Sequence, residues 1–213
     1  MRIALVSSAT GEFVQPPHVP QNVEFSSLCY TSENFLPRVS SLSTRLQARI
    51  PKMFAWQMNP GFDLYVWLDA SFSLSHAGSL GWFVESLGDA PAAFFLHPER
   101  QTVRQEAEFI RQKIASGNRY LTRRYVGEDI DGHLALLDEL RYPDDCLYAT
   151  GAFVYRTTEV MRRVMWKWWA YTSRYHAVDQ LSLPVALWEE RVAPAILLGD
   201  IFDCETFDYR GHR

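Results

Sequence analysis

The segment Leu64-Tyr65-Val66-Trp67-Leu68 is an unbroken apolar and aromatic run closed by Asp69-Ala70-Ser71. A run of that length predicts a strand buried on both faces, as in a parallel sheet covered by helices. In open α/β sheets, ligands gather outside the carboxyl ends of the strands. Asp69 stands at such an end. Two readings of it stand: a carboxylate that closes a turn, or one that holds a divalent cation and through it a diphosphate.

The flanking pattern alternates strands with helices. Ile3-Ala4-Leu5-Val6 predicts a first strand, followed by the small-residue loop Ser7-Ser8-Ala9-Thr10-Gly11. Pro16, Pro17 and Pro20 mark an irregular connection. Residues 23–30 can supply a second strand, whose end near Tyr30 and Thr31 could meet a base. Residues 40–57 read as a helix, interrupted or restarted near Pro51. Helices are also predicted over 78–87, 102–115, 157–171 and 179–190, with partial helix between 117 and 142. Strands are expected over 92–96 and 195–198. Residues 147–155 read as a strand or a strand pair broken at Gly151. This succession predicts one α/β domain over residues 1–213.

With 213 residues, 47% of them hydrophobic, the chain can bury a sizeable core. Its net charge of −4 gives no whole-chain reason to expect nucleic acid as a partner. Cys29, Cys146 and Cys204 are widely spaced and odd in number, which predicts reduced thiols in the cytoplasm rather than a disulfide framework. The apolar run at the N-terminus is too short for a signal peptide. No segment approaches the ~20 apolar residues of a membrane span.

Four groups of residues carry possible chemistry. Arg45, Arg49 and Lys52 are spaced to share a helical face. A solvated face is the favoured reading, and a phosphate-facing one the alternative. His97-Pro98-Glu99-Arg100 lies at a strand end. His97 and Arg100 could meet phosphate or sugar hydroxyls, with Glu106 orienting Arg100, or the group could form a turn held by a local ion pair. Asp179 either caps the helix that follows, the favoured reading, or enters a cleft beside Gln180 and meets a sugar or an acceptor hydroxyl. Gly151 precedes an apolar strand and permits close approach of a ligand or another backbone. Val160, Met161, Val164, Met165, Trp168 and Trp169 form a helical stripe that reads as core rather than as a stacking surface for sugars.

Lys52, the Tyr65-to-Phe72 segment with Asp69, His97-Pro98-Glu99-Arg100 with Glu106, and Asp179-Gln180-Leu181-Ser182 occur in this order. The set resembles glycosyltransferases of the GT-A superfamily, and within it a group that includes plant mucilage-related glycosyltransferases and bacterial homologues. The resemblance implies a mostly parallel central sheet flanked by helices. It also implies transfer of a sugar from a nucleotide donor, such as a UDP-sugar, to a hydroxyl acceptor. Ser7, Ser8 and Thr10 would meet the nucleotide. Lys52, Asp69, Ser71 and Arg100 would hold the diphosphate, and His97 and Gln180 the sugar or acceptor. Asp179 would be the catalytic carboxylate. Mn²⁺ or Mg²⁺ would sit on Asp69 and His212. The superfamily's usual Asp-x-Asp reads Asp69-Ala70-Ser71 here, so the second carboxylate is absent and metal dependence is open. The alternative is a sugar- or nucleotide-sugar-binding protein on a degenerate transferase fold.

Overall fold

The computed structural model describes residues 1–10, 14–35 and 42–210. Its main sheet has six strands in the order β2-β1-β3-β6-β5-β7. These are β1 (Ile3–Ala9), β2 (Ser26–Thr31), β3 (Leu64–Leu68), β5 (Ala92–Leu96), β6 (Tyr148–Arg156) and β7 (Ala195–Leu197). β1 runs parallel to β2 and β3, and β5 runs parallel to β7. Only β6 opposes its neighbours, β3 and β5. The sheet is therefore mostly parallel, as expected.

Period-2 alternation explains why both faces are covered. In β3, Tyr65 and Trp67 join one core, while Leu64, Val66 and Leu68 join the other. The first core is completed by α1 (Thr44–Met58), α6 (Glu159–Arg174) and α7 (Asp179–Glu189). The second is completed by α2 (Ser79–Leu87) and by a small antiparallel pair, β4 (Phe72–Leu74) with β8 (Phe207–Tyr209). A third cluster joins α3 (Val103–Ala115) and α5 (Ile130–Leu140) to α7, with α4 (Arg119–Tyr125) between α3 and α5 in the chain. Trp168 is fully buried, as the core reading of its stripe expected, whereas Trp166 is half exposed and packs on Phe54 at 4.5 Å.

One local expectation needs correction, and one pair of alternatives is decided. α1 runs unbroken through Pro51. Ser43 starts the helix by accepting from the Leu46 N–H, and burial of Pro51, Met53 and Phe54 offsets the hydrogen bond that proline removes. β6 is one continuous strand at Gly151. What breaks is its pairing with β5: Phe94 faces Phe153, but Phe95 faces Ala149. Residues 150–152 thus bulge away from β5 while Ala152 still pairs with Leu68 of β3.

The strand directions gather one edge of the sheet. The carboxyl ends of β1, β3 and β5 lie beside the amino end of β6, and the Asp69 N–H donates to the Gly151 carbonyl at 2.7 Å. Among the described residues no helix is long and apolar enough to cross a membrane, and Cys29, Cys146 and Cys204 are free thiols.

A Cβ placed on Gly151 would stand 2.8 Å from the Phe72 ring and 3.3 Å from Ile201. That ring is itself wedged against Phe207 and Tyr209. Gly151→Ala should therefore cost about 1–3 kcal/mol in chemical denaturation, and Phe72→Leu in the same chain should recover part of it. A Gly151→Ala variant as stable as the parent would contradict this packing.

Candidate functional site

The gathered edge opens into a cavity of about 450 Å³. That volume suits a small-molecule substrate. Ser8 lies near the end of β1, which runs through Ala9 rather than ending at Val6 as expected; Thr10 follows β1, Asp69 and Ser71 follow β3, His97 follows β5, and Thr150 and Gly151 come from the β6 bulge; all line it. Asp179 and Gln180 enter from the start of α7, and Arg45 and Arg49 from α1.

Lys52 lies behind this lining with no exposed side-chain surface. Its Nζ sits 2.5 Å from Asp179 Oδ2 and 3.3 Å from Asp69 Oδ1. Rings of Trp67, Trp168 and Phe153 surround it, with centroids 5.4, 5.8 and 6.0 Å away. A buried ammonium needs such partners, because losing water without them costs several kcal/mol. The tryptophans also fix the acids. Trp67 Nε1 donates to Asp69 Oδ1 at 2.7 Å, and Trp168 Nε1 to the Asp179 backbone carbonyl at 2.8 Å.

Asp179 does not cap α7. The N-cap is Val178, and it makes no side-chain cap bond. The Asp179 carboxylate instead takes Arg49 Nη2 at 3.0 Å, Lys52, and the Thr150 hydroxyl at 3.2 Å. Burial alone would raise its pKa, but Arg49 and Lys52 overcome that and hold the carboxyl below its ordinary range. Asp69 divides its duties. Its backbone carbonyl closes a turn onto the Phe72 N–H at 2.9 Å, while its side chain is one-third exposed. Oδ1 is shared by Trp67 and Lys52, and Oδ2 has no protein partner among the described residues.

The other predicted residues divide. Ser8 lines the cavity, and its buried hydroxyl lacks a partner among the described residues. Ser7 is outside the lining and donates to Gln15 Oε1 at 2.5 Å. Tyr30 is also outside it, its hydroxyl bonded to Asn59. Arg100 is outside as well. It pairs with Glu106 and Glu99 and stacks on Phe109 at 4.0 Å, so it braces the rim rather than facing the cavity. His97 does face the cavity. Burial first, and then Arg100, lower its pKa to about 4, so it stands neutral, with Nδ1 accepting from the Glu99 and Arg100 N–H groups. The favoured solvated reading of the basic face of α1 also needs correction. Lys52 is wholly buried, Arg49 nearly so, and Arg45 is half-buried in the cavity wall. Arg124 and Tyr125 of α4 complete that wall. The sequence reading missed them because nothing in that polar stretch shows which side faces the sheet.

A divalent cation does not fit the described residues alone. No group of three or more His, Cys, Asp or Glu side chains among them could hold one. The oxygens of Asp179 are already engaged, which leaves Asp69 Oδ2 and Ser71. His212, the other expected ligand, lies outside the described residues.

No protein-family model and no curated protein matches the chain at a significant level. Solved structures do. WbbM, a bifunctional glycosyltransferase, is 12% identical with a TM-score of 0.51, over 92% of this chain and 38% of that one. Mouse xyloside xylosyltransferase 1 is 8% identical with a TM-score of 0.47, over 92% and 85%. A glycosyltransferase that acts in glycosylation of the major capsid of PBCV-1 is 9% identical with a TM-score of 0.42, over 94% and 82%. At 12% identity the likeness to WbbM shows a shared fold alone.

Removing the buried cation should expose its role. Lys52→Met should lower stability by about 3 kcal/mol, because it strands negative charge, and Lys52→Arg should lose less. The pH dependence has a definite sign. The folded-state pKa of Asp179 lies below its unfolded value near 3.9, so its stabilisation is complete above about pH 4 and is lost as pH falls through the depressed value. Lys52→Met should weaken that acid limb in denaturation profiles. A variant with parental stability and an unchanged acid limb would contradict the bridging role.

Proposed function

We propose that the protein transfers a sugar from a nucleoside-diphosphate donor, with UDP-sugars the first class to test, to a hydroxyl acceptor. The observation that carries this reading is the joining of Asp69 and Asp179 through one buried lysine, at the sheet edge where α/β folds bind ligands. The fold shared with the glycosyltransferase structures agrees with it.

In such a transfer, the bond from the anomeric carbon to the phosphate oxygen breaks. A bond to the acceptor oxygen forms, and the acceptor proton is released. Positive charge develops on the sugar ring and negative charge on the departing diphosphate. In this proposal the nucleotide lies along Ser8 and Thr10, where the buried Ser8 hydroxyl has no partner among the described residues. The diphosphate lies at Asp69 and Ser71, and the sugar against Asp179, Gln180 and His97. An ionised, depressed-pKa carboxylate is a weak base but a good partner for a positively charged ring, so Asp179 acts by electrostatics and positioning. Neutral His97 lines this part of the cavity, and a sugar hydroxyl would have to compete there with Arg100 Nη2, which lies 3.0 Å from His97 Nε2. Lys52 sets the two carboxylates and does not itself meet phosphate. Mn²⁺ or Mg²⁺ on Asp69 belongs to the proposal only with a further ligand such as His212. When bound, the ion would offset diphosphate charge. The cytoplasm remains the proposed compartment, supported by the three free thiols.

Binding of a nucleoside diphosphate to the folded state raises the melting temperature by mass action. UDP, GDP and CDP, each with Mn²⁺ or with EDTA, should single out one nucleotide. Asp69→Ala should abolish that rise and all transfer while its circular dichroism stays parental. A rise that survives EDTA would assign diphosphate binding to protein groups alone. Binding without turnover of any matching nucleotide sugar would favour the degenerate, binding-only alternative that the missing second carboxylate suggests. Full transfer by Asp69→Ala would overturn the assignment.

A further inference from the structure

The cavity wall formed by α1 and α4 holds more positive charge than its carboxylates use. Arg49 gives Nη2 to Asp179, but its buried Nε has no partner among the described residues. Arg45 and Arg124 form no ion pair among the described residues; Arg45 Nη1 instead donates to the Arg124 carbonyl at 2.5 Å. Each guanidinium lies over an aromatic ring, Arg45 over Tyr125 at 5.1 Å and Arg124 over Tyr120 at 4.2 Å. A cation–π contact of this kind helps to fix a guanidinium, and its remaining N–H groups can meet an anion. Burial first lowers the Arg45 pKa below its ordinary value, and the like charges of Arg124 and Arg49 add to this against the opposing pull of Tyr125 and Glu128. Gathering like charges in a cavity wall is unfavourable unless an anion is met there.

The geometry points to a subsite in which Arg45, Arg49 and Arg124 bind an anionic oxygen group, a carboxylate or a phosphate, carried by the sugar or the acceptor next to Asp179. It rests on the transferase reading only in calling this the sugar end of the cavity. The substrate is then an acidic or phosphorylated saccharide rather than a neutral one. Guanidinium forks match both anions by paired hydrogen bonds. A neutral sugar would leave Arg45 and Arg124 without an ion-pair partner among the described residues, while Arg49 keeps Asp179.

The probes are methyl glucuronide, methyl glucoside, inorganic phosphate and pyrophosphate, compared by thermal midpoint at matched ionic strength set with sodium chloride. Methyl glucuronide or inorganic phosphate should raise the midpoint where methyl glucoside and sodium chloride do not. The double variant Arg45→Gln/Arg124→Gln should weaken that binding roughly ten- to hundredfold. Arg45→Lys/Arg124→Lys should retain part of it, and both variants should melt cooperatively without ligand. A response to glucuronide alone identifies a carboxylate, and to phosphate alone a phosphorylated sugar. A response to pyrophosphate alone would overturn the inference by assigning the cluster to the donor diphosphate. So would the absence of any anion response, or one that the Gln variant keeps in full. A parental nucleotide response beside a missing anion response overturns this inference only; the reverse overturns the transferase reading only.

Discussion

Lys52 has no contact with solvent, yet it carries a charge that two carboxylates must share. That constraint orders the site around it. Asp69 follows a strand and Asp179 begins a helix, and Lys52 is the cation common to both. Trp67 and Trp168 close the arrangement from both sides, each offering a ring face to the ammonium and an N–H to an aspartate. An interior ion pair of this kind seldom adds net stability over a well-packed apolar alternative. Here it positions two acids at one cavity.

The sheet supplies the place for this arrangement. Parallel strands bring their carboxyl ends to one edge, and the single antiparallel strand β6 adds its amino end there. The bulge at residues 150–152 serves both layers at once. It frees Thr150 to reach Asp179 and lets Gly151 pass close to Phe72. The C-terminal pair of β8 with β4 then closes the cavity near Ser71, whose carbonyl accepts from the Arg210 N–H at 2.8 Å.

The strand before Asp69 was legible because buried β structure leaves an unbroken apolar run, and the stripe ending at Trp168 because helical spacing repeats. Local patterns also placed Ser8, Asp69, His97 and Gln180 at element ends, and all four line the cavity. What could not be read was direction. The spacing of Arg45, Arg49 and Lys52 shows a shared face but not what it faces, and propensity favoured solvent. Asp179 stands where a capping residue commonly stands, so only the tertiary position of Lys52 and Arg49 shows that its carboxylate turns inward. Arg100 could be read as a phosphate ligand oriented by Glu106 or as part of a local ion pair, and only its packing on Phe109 and its pairing with Glu106 and Glu99 decide for the latter. Arg124 lies in a short helix whose role depends wholly on what packs beside it.

The most direct test of the account is release of nucleoside diphosphate from a panel of nucleotide sugars, measured for the parent chain and for Asp179→Asn. The account predicts release by the parent from at least one donor. It predicts loss of release in the variant by about a hundredfold or more, with nucleotide binding retained, because the charge facing the sugar is gone while the nucleotide contacts remain. Release at the parental rate by Asp179→Asn would contradict the claim that the lysine-bridged carboxylates form the catalytic site.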